Sequence, residues 1–265
     1  MTQFDSTSPP SSTEDDLIQL NRAGIIAGPE ELKLSFFLRV EEILNNAPEY
    51  PEIFPQRLRD LFDIYPDHLT VLYSNEGMDV WEGGCTWILN NHVTVQLRKQ
   101  LHKAARWLGI YSKEEILAHE AVHAARMKFY EPMFEELLAY QTSSSVIRRF
   151  LGPLFRSPGE NYSFLLFTIT GIGLSLWEPI VGIATILSTP IYFGARLLIT
   201  QYFFHLAKKK IRKMLGIPPL WVLLRLTDKE IRMFASQPIP VLEKYARERK
   251  LDSVRWRQIY LSYFV

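Results

Sequence analysis

The chain has 265 residues, with 30 Lys/Arg against 29 Asp/Glu, and its 22% of charged residues is ordinary for a soluble protein. A single cysteine, Cys85, excludes an internal disulfide framework and fits a reducing compartment. The near-neutral total conceals an uneven distribution: residues 1–160 hold 15 Lys/Arg against 23 Asp/Glu, and residues 207–265 hold 14 against 5.

Residues 1–14 are rich in Ser, Thr and Pro and lack the basic-then-apolar pattern of a signal peptide, which predicts a disordered tail. Residues 17–62 read as amphipathic helices, broken at Pro48, Pro51 and Pro55. His68–Tyr73 is a β-rich run ending at the turn cluster Ser74-Asn75-Glu76-Gly77, and Met78–Glu82 reads as a further short strand before Gly83-Gly84. Cys85–Leu89 and His92–Leu97 then make a hairpin across Asn90-Asn91, with Val93, Val95 and Leu97 alternating against Thr94 and Gln96. Cys85 reads as a small core residue of that hairpin, because no nucleophile motif surrounds it. The pattern predicts a helix over Gln100–Leu108, ended at Gly109, and assigns His92 and His102 to surface or packing roles.

Ser112-Lys113-Glu114-Glu115 has the spacing of a capping box and opens a helix containing His119-Glu120-Ala121-Val122-His123. Residues four apart share a helix face, so both imidazoles can reach one metal ion. Glu120 lies between them, where it can take a proton from a water. This is the H-E-x-x-H pattern of zinc hydrolases. Glu131-Pro132 ends the helix and starts another, expected to run to about Phe150, with Glu135 and Glu136 in its first turns. A catalytic zinc takes three protein ligands and keeps one position open, so either glutamate is a candidate third ligand. On the residues alone, two alternatives stand: packed core histidines beside a solvated glutamate pair, or another imidazole-binding metal.

Glu136-Leu137-Leu138-Ala139 resembles the E-x-x-A stretch that carries the third ligand in gluzincin-type zinc metallopeptidases. The resemblance covers about residues 112–141 and implies His119, His123 and Glu136 as zinc ligands and Glu120 as the general base. Tyr140 stands where many members have aspartate, so the support of a histidine ring comes from elsewhere. The fold it implies is α+β: a compact zincin-like domain over residues 15–158, with a small antiparallel sheet whose edge could hold a peptide and the active-site helices behind it. Arg126, Tyr130 and Tyr140 are the nearby candidates for stabilising the oxyanion, and nothing in the sequence selects among them.

From Asn161 to Ala207 only Glu178 and Arg196 are charged. Residues 162–177 and 180–204 are apolar segments separated by Glu178-Pro179, which predicts a transmembrane helical hairpin over residues 160–206. Gly171, Gly173, Gly182 and Gly194 suit close helix packing, and Trp177 and Tyr202 suit interfaces. Pro190 should kink the second helix, and Arg196 is costly in hydrocarbon unless it finds a partner. A re-entrant hairpin and a buried helical pair are the alternatives. Arg148, Arg149 and Arg156 precede the hairpin and Lys208, Lys209, Lys210, Arg212 and Lys213 follow it, so both ends are expected on the cytoplasmic side.

Residues 207–265 form the basic C-terminal region, with a capping box at Thr227–Glu230 and Asp252 as the expected cap of a last helix. Its charge can be solvated, or can meet anionic lipid or the acidic front of the chain. No nucleic-acid motif accompanies it. The expectation is a membrane-anchored, zinc-dependent metallopeptidase acting on a protein or peptide. The alternatives are a non-enzymatic membrane adaptor with an inert or structural zincin-like domain, and a zinc hydrolase acting on another bond.

Overall fold

The computed structural model describes residues 13–80, 82–89 and 91–264. Thr13 and Asp16 cap each other reciprocally and start helix α1 (Glu14–Arg22), so helical structure reaches into the end of the expected tail; residues 1–12 lie outside the described residues. The prolines space out the next two helices, α2 (Lys33–Asn45) and α3 (Gln56–Phe62).

Strand β1 (Thr70–Tyr73) is followed by β2 (Gly84–Leu89) and β3 (His92–Leu97). The β2–β3 hairpin has the expected register, with Leu89 opposite His92. The sheet is mixed rather than antiparallel: its order is β1-β3-β2, and β1 runs parallel to β3. β3 is central because it carries the apolar load, burying Val93, Val95 and Leu97. The expected strand at 78–82 is absent among the described residues there; the chain turns instead, with Glu82 N–H donating to Asp79 O. The expected helix over 100–108 is also not formed. A 3-10 turn (Lys99–His102) precedes strands β4 (Arg106–Trp107) and β5 (Tyr111–Ser112), which pair antiparallel. Leu108 and Gly109 both take positive φ at the connecting bend, a geometry that ends any helix. His102 packs edge-on to Tyr73, in the packing role expected of it.

Helix α4 (Lys113–Ala125) lies against β2 and β3 and carries the two histidines. Ser112 caps it by accepting from Glu115 N–H, but the reciprocal half of the box is missing because the Glu115 carboxylate binds Arg148 at 2.8 Å. Helix α5 (Pro132–Ala139) starts at the proline, as its missing N–H allows. It stops well before Phe150: the serines at 143–145 interrupt it, and Ser145 caps a separate helix, α6 (Val146–Leu151).

The apolar segments are α7 (Pro158–Ser175) and α8 (Pro179–Leu215), which pack on each other. α8 runs unbroken through Pro190, and it is long and apolar enough to cross a membrane. Arg196 is paired: its Nη2 donates to Glu160 Oε2 at 2.7 Å and to Leu154 O at 2.8 Å.

Four helices follow: α9 (Pro219–Leu223), α10 (Asp228–Ser236), α11 (Ile239–Asp252) and α12 (Val254–Tyr263). The box at Thr227 forms as expected, whereas Ser253, not Asp252, caps α12. Leu223, Ile231, Phe234 and Trp256 join the same hydrophobic core as Val95, Leu117 and Leu137. Two basic residues of this region turn inward rather than to solvent or lipid. Arg225 donates to Asn21 Oδ1 at 2.6 Å and Phe62 O at 2.7 Å, and Arg255 pairs with Glu230 at 2.8 Å.

Candidate metal centre

The four-residue spacing on α4 brings His119 Nε2 and His123 Nε2 to 3.2 Å from each other. The short link after α4 returns α5 across them, and Glu136 places one carboxylate oxygen 3.7 Å from His119 Nε2 and the other 3.4 Å from His123 Nε2. Donors about 2.0–2.1 Å from a tetrahedral ion stand roughly 3.3 Å apart, so these separations match one small cation held by all three side chains. His119, His123 and Glu136 are the group among the described residues that could hold a metal ion.

Electrostatics favour positive charge at this point. Burial works against a charged His123, but Glu136, Glu135 and Glu120 outweigh it and raise the pKa to about 10. His119 shifts the other way, held well below its usual value by burial and by the charge of His123. Two imidazoles and the Glu136 carboxylate thus converge on one point, with the Glu135 and Glu120 carboxylates beside them.

Glu135 does not join the three-residue group. Its Oε1 lies 2.9 Å from His123 Nδ1, on the side of the ring away from Nε2, and its Oε2 is 4.0 Å from Arg126 Nε. A carboxylate there fixes the tautomer and orientation of a metal-binding ring. This role was not legible in sequence, although the adjacent pair Glu135-Glu136 was its only trace.

Glu120 is buried and faces the same cleft. Burial raises its pKa to about 7 against the opposing effects of His123 and of a hydrogen bond from Thr86 Oγ1 to Glu120 Oε2 at 2.9 Å. The same hydroxyl lies 3.0 Å from Glu120 O and shares its one hydrogen between the two oxygens, so β2 grips the helix at the proposed base. Thr86 carried no sequence signal. Cys85, its neighbour on β2, has its thiol pushed up to about 11 by burial and by Glu120 and Glu82, which keeps it protonated.

Of the three oxyanion candidates, Tyr140 lines the cleft beside His119. Its ring packs edge-on to His119 at 4.8 Å, and burial, reinforced by Glu136, raises its pKa and keeps it a neutral donor. Arg126 is buried behind Glu135, with its Nη1 committed to Leu224 O and Leu226 O. Tyr130 lies at the cleft with its side chain largely exposed and its backbone in the left-handed region.

The cleft encloses about 520 Å³. Its walls are edge strand β2, helices α4 and α5, and the segment leading into α7. No family model, curated protein or solved structure matches this chain.

Proposed function

We propose that the chain is a membrane-anchored, gluzincin-like zinc metallopeptidase. The observation that carries this reading is the convergence of His119, His123 and Glu136 donor atoms within 4.8 Å of one another, beside Glu120. Two imidazoles and one carboxylate suit zinc, which when bound lowers the pKa of a water and polarises a carbonyl. Glu120 takes a proton from the attacking water and returns it to the departing amine. Tyr140 donates to the carbonyl oxygen as negative charge develops there. Glu135, backed by Arg126, holds the His123 ring with Nε2 facing the cleft. Edge strand β2 offers backbone groups to an extended peptide, whichever bond along it is cut.

The membrane reading rests on exposure and charge. Only 22% of the apolar window of α8 is buried, which is far too little for the core helix of a soluble protein. Trp177 and Ile180 are 80% and 85% exposed at the turn between α7 and α8, and Leu166 and Ile191 project from the flanks. In this account α7 and α8 form the bilayer hairpin. Exposed Lys209, Arg212 and Lys213 follow the apolar stretch on α8 and, by the positive-inside rule, assign that end of the helix to the cytoplasmic side.

Hydrolysis of an unfolded protein by the full chain in detergent, compared with Glu120→Gln, tests the activity. Wild type should cleave, lose activity to a chelator and regain it with zinc, and Glu120→Gln should be at least a hundredfold slower. Equal rates in wild type and Glu120→Gln would refute the mechanism.

A further inference from the structure

Resting on the metallopeptidase reading, we infer that the substrate is itself a membrane-anchored polypeptide, cut close to the point where it leaves the bilayer. The basis is the position of the cleft relative to the apolar hairpin. Phe155, Ser157 and Asn161 form one wall of the cleft that holds His119 and Glu120, and Asn161 already lies in the first turn of α7. Leu165, Leu166, Phe167 and Ile169 follow on the same helix, each more than half exposed. From Asn161 to Leu165 the rise is only about 6 Å at 1.5 Å per residue.

The level of the membrane edge is fixed by charge. Glu160 on α7 pairs with Arg196 on α8 and also accepts from Arg156 N–H at 2.7 Å. An ion pair of this kind is expensive at the bilayer centre and belongs at its margin. Glu160 to Ser175 spans roughly 22 Å of helix and Pro179 to Arg196 roughly 26 Å, approaching the ~30 Å hydrocarbon thickness. The pair therefore marks the near edge, and the Trp177–Ile180 turn the far one. Tyr162 adds a tie between the helix and the front of the chain, donating to Asp79 at 3.2 Å in the loop that leads into β2.

A cleft whose wall ends about 6 Å from the lipid-facing surface selects chains already held at that surface. Tethering in the same membrane raises the local concentration of such a chain without any added contact. An extended segment advances about 3.3 Å per residue, so two or three residues cross the 5–7 Å headgroup layer and several more fill the cleft. Cleavage is accordingly placed within about ten residues of a substrate's membrane span.

The test uses the full chain, zinc-loaded, in proteoliposomes fused with membrane vesicles from the cells that express it and mixed with soluble proteins from the same cells. New N-termini are mapped by mass spectrometry for wild type and Glu120→Gln. The expected result is Glu120-dependent termini at least fivefold enriched in membrane-anchored proteins and clustered within about ten residues of a span. Glu120-dependent termini spread evenly through soluble proteins would overturn the substrate inference and leave the metallopeptidase reading standing. Absence of any Glu120-dependent terminus would overturn both. A readout free of catalysis accompanies it: in a Cys85→Ser background, nitroxides at Asn161→Cys and Ile169→Cys report depth in the liposomes. The headgroup layer at 161 and hydrocarbon at 169 are expected, and an aqueous environment at 169 would overturn the inference.

Discussion

Glu135 Oε1 lies 2.9 Å from His123 Nδ1, while the neighbouring Glu136 faces Nε2 of the same ring. One helical turn thus supplies two carboxylates with different tasks: Glu136 closes the donor triangle, and Glu135 fixes the ring from behind. Removing such a supporting carboxylate typically costs 10–100-fold in metal affinity without abolishing the site. Glu135→Gln should therefore still bind zinc at saturation but with affinity reduced by that factor, measured by competition with a chromophoric chelator. Glu136→Gln should lose stoichiometric zinc under the same conditions.

Gly84 approaches the proposed base closely. A Cβ there would fall 2.6 Å from the Ile116 side chain and 3.0 Å from Glu120 Cγ. Gly84→Val should displace the Glu120 side chain and lower the rate of hydrolysis at least tenfold while zinc content stays at the wild-type level, a combination read by parallel activity and metal assays.

The motif helix was legible because its information is local: a cap, a four-residue spacing and a proline stop all lie within residues 112–132. The role of Glu135 was not, since it depends on how α5 folds back over α4. The sheet shows the same division. The β2–β3 register follows from alternation within residues 84–97, but the parallel pairing of β1 with β3 is a tertiary choice, set by which strand buries most apolar surface. Arg225 and Arg255 could not be told from surface charges by composition, because what recruits them is carbonyls and a carboxylate brought close by folding.

Glu230 makes acid stability a direct test of the C-terminal packing. Burial works to raise its pKa, but Arg255, the Thr227 N–H and the Trp256 indole prevail and lower it to about 2. Between that value and the ordinary carboxylate range the unfolded chain binds the extra proton, so the stabilisation is complete above about pH 4.5 and is lost as pH falls toward 2. Glu230→Gln should cost about 3 kcal/mol at pH 7, by leaving Arg255 buried without its counter-charge. The gap from wild type should narrow as pH drops from 5 to about 2.5, which denaturant titration at several pH values would measure.

Gly182 lets α8 touch α7: a Cβ there would stand 2.3 Å from Ser175 N. Gly182→Leu should force the helices apart at a cost of about 1–3 kcal/mol, lowering the thermal midpoint in detergent by several degrees. Zinc content should be unaffected, because α4 and α5 hold the site without that contact.

Elemental analysis of the detergent-purified full chain decides whether His119, His123 and Glu136 hold one catalytic zinc. About one zinc per chain is expected in wild type and Glu120→Gln, and none in His119→Ala or Glu136→Ala. A zinc-replete preparation of wild type that holds no stoichiometric metal, or a Glu136→Ala variant that keeps it, would rule out this three-ligand site.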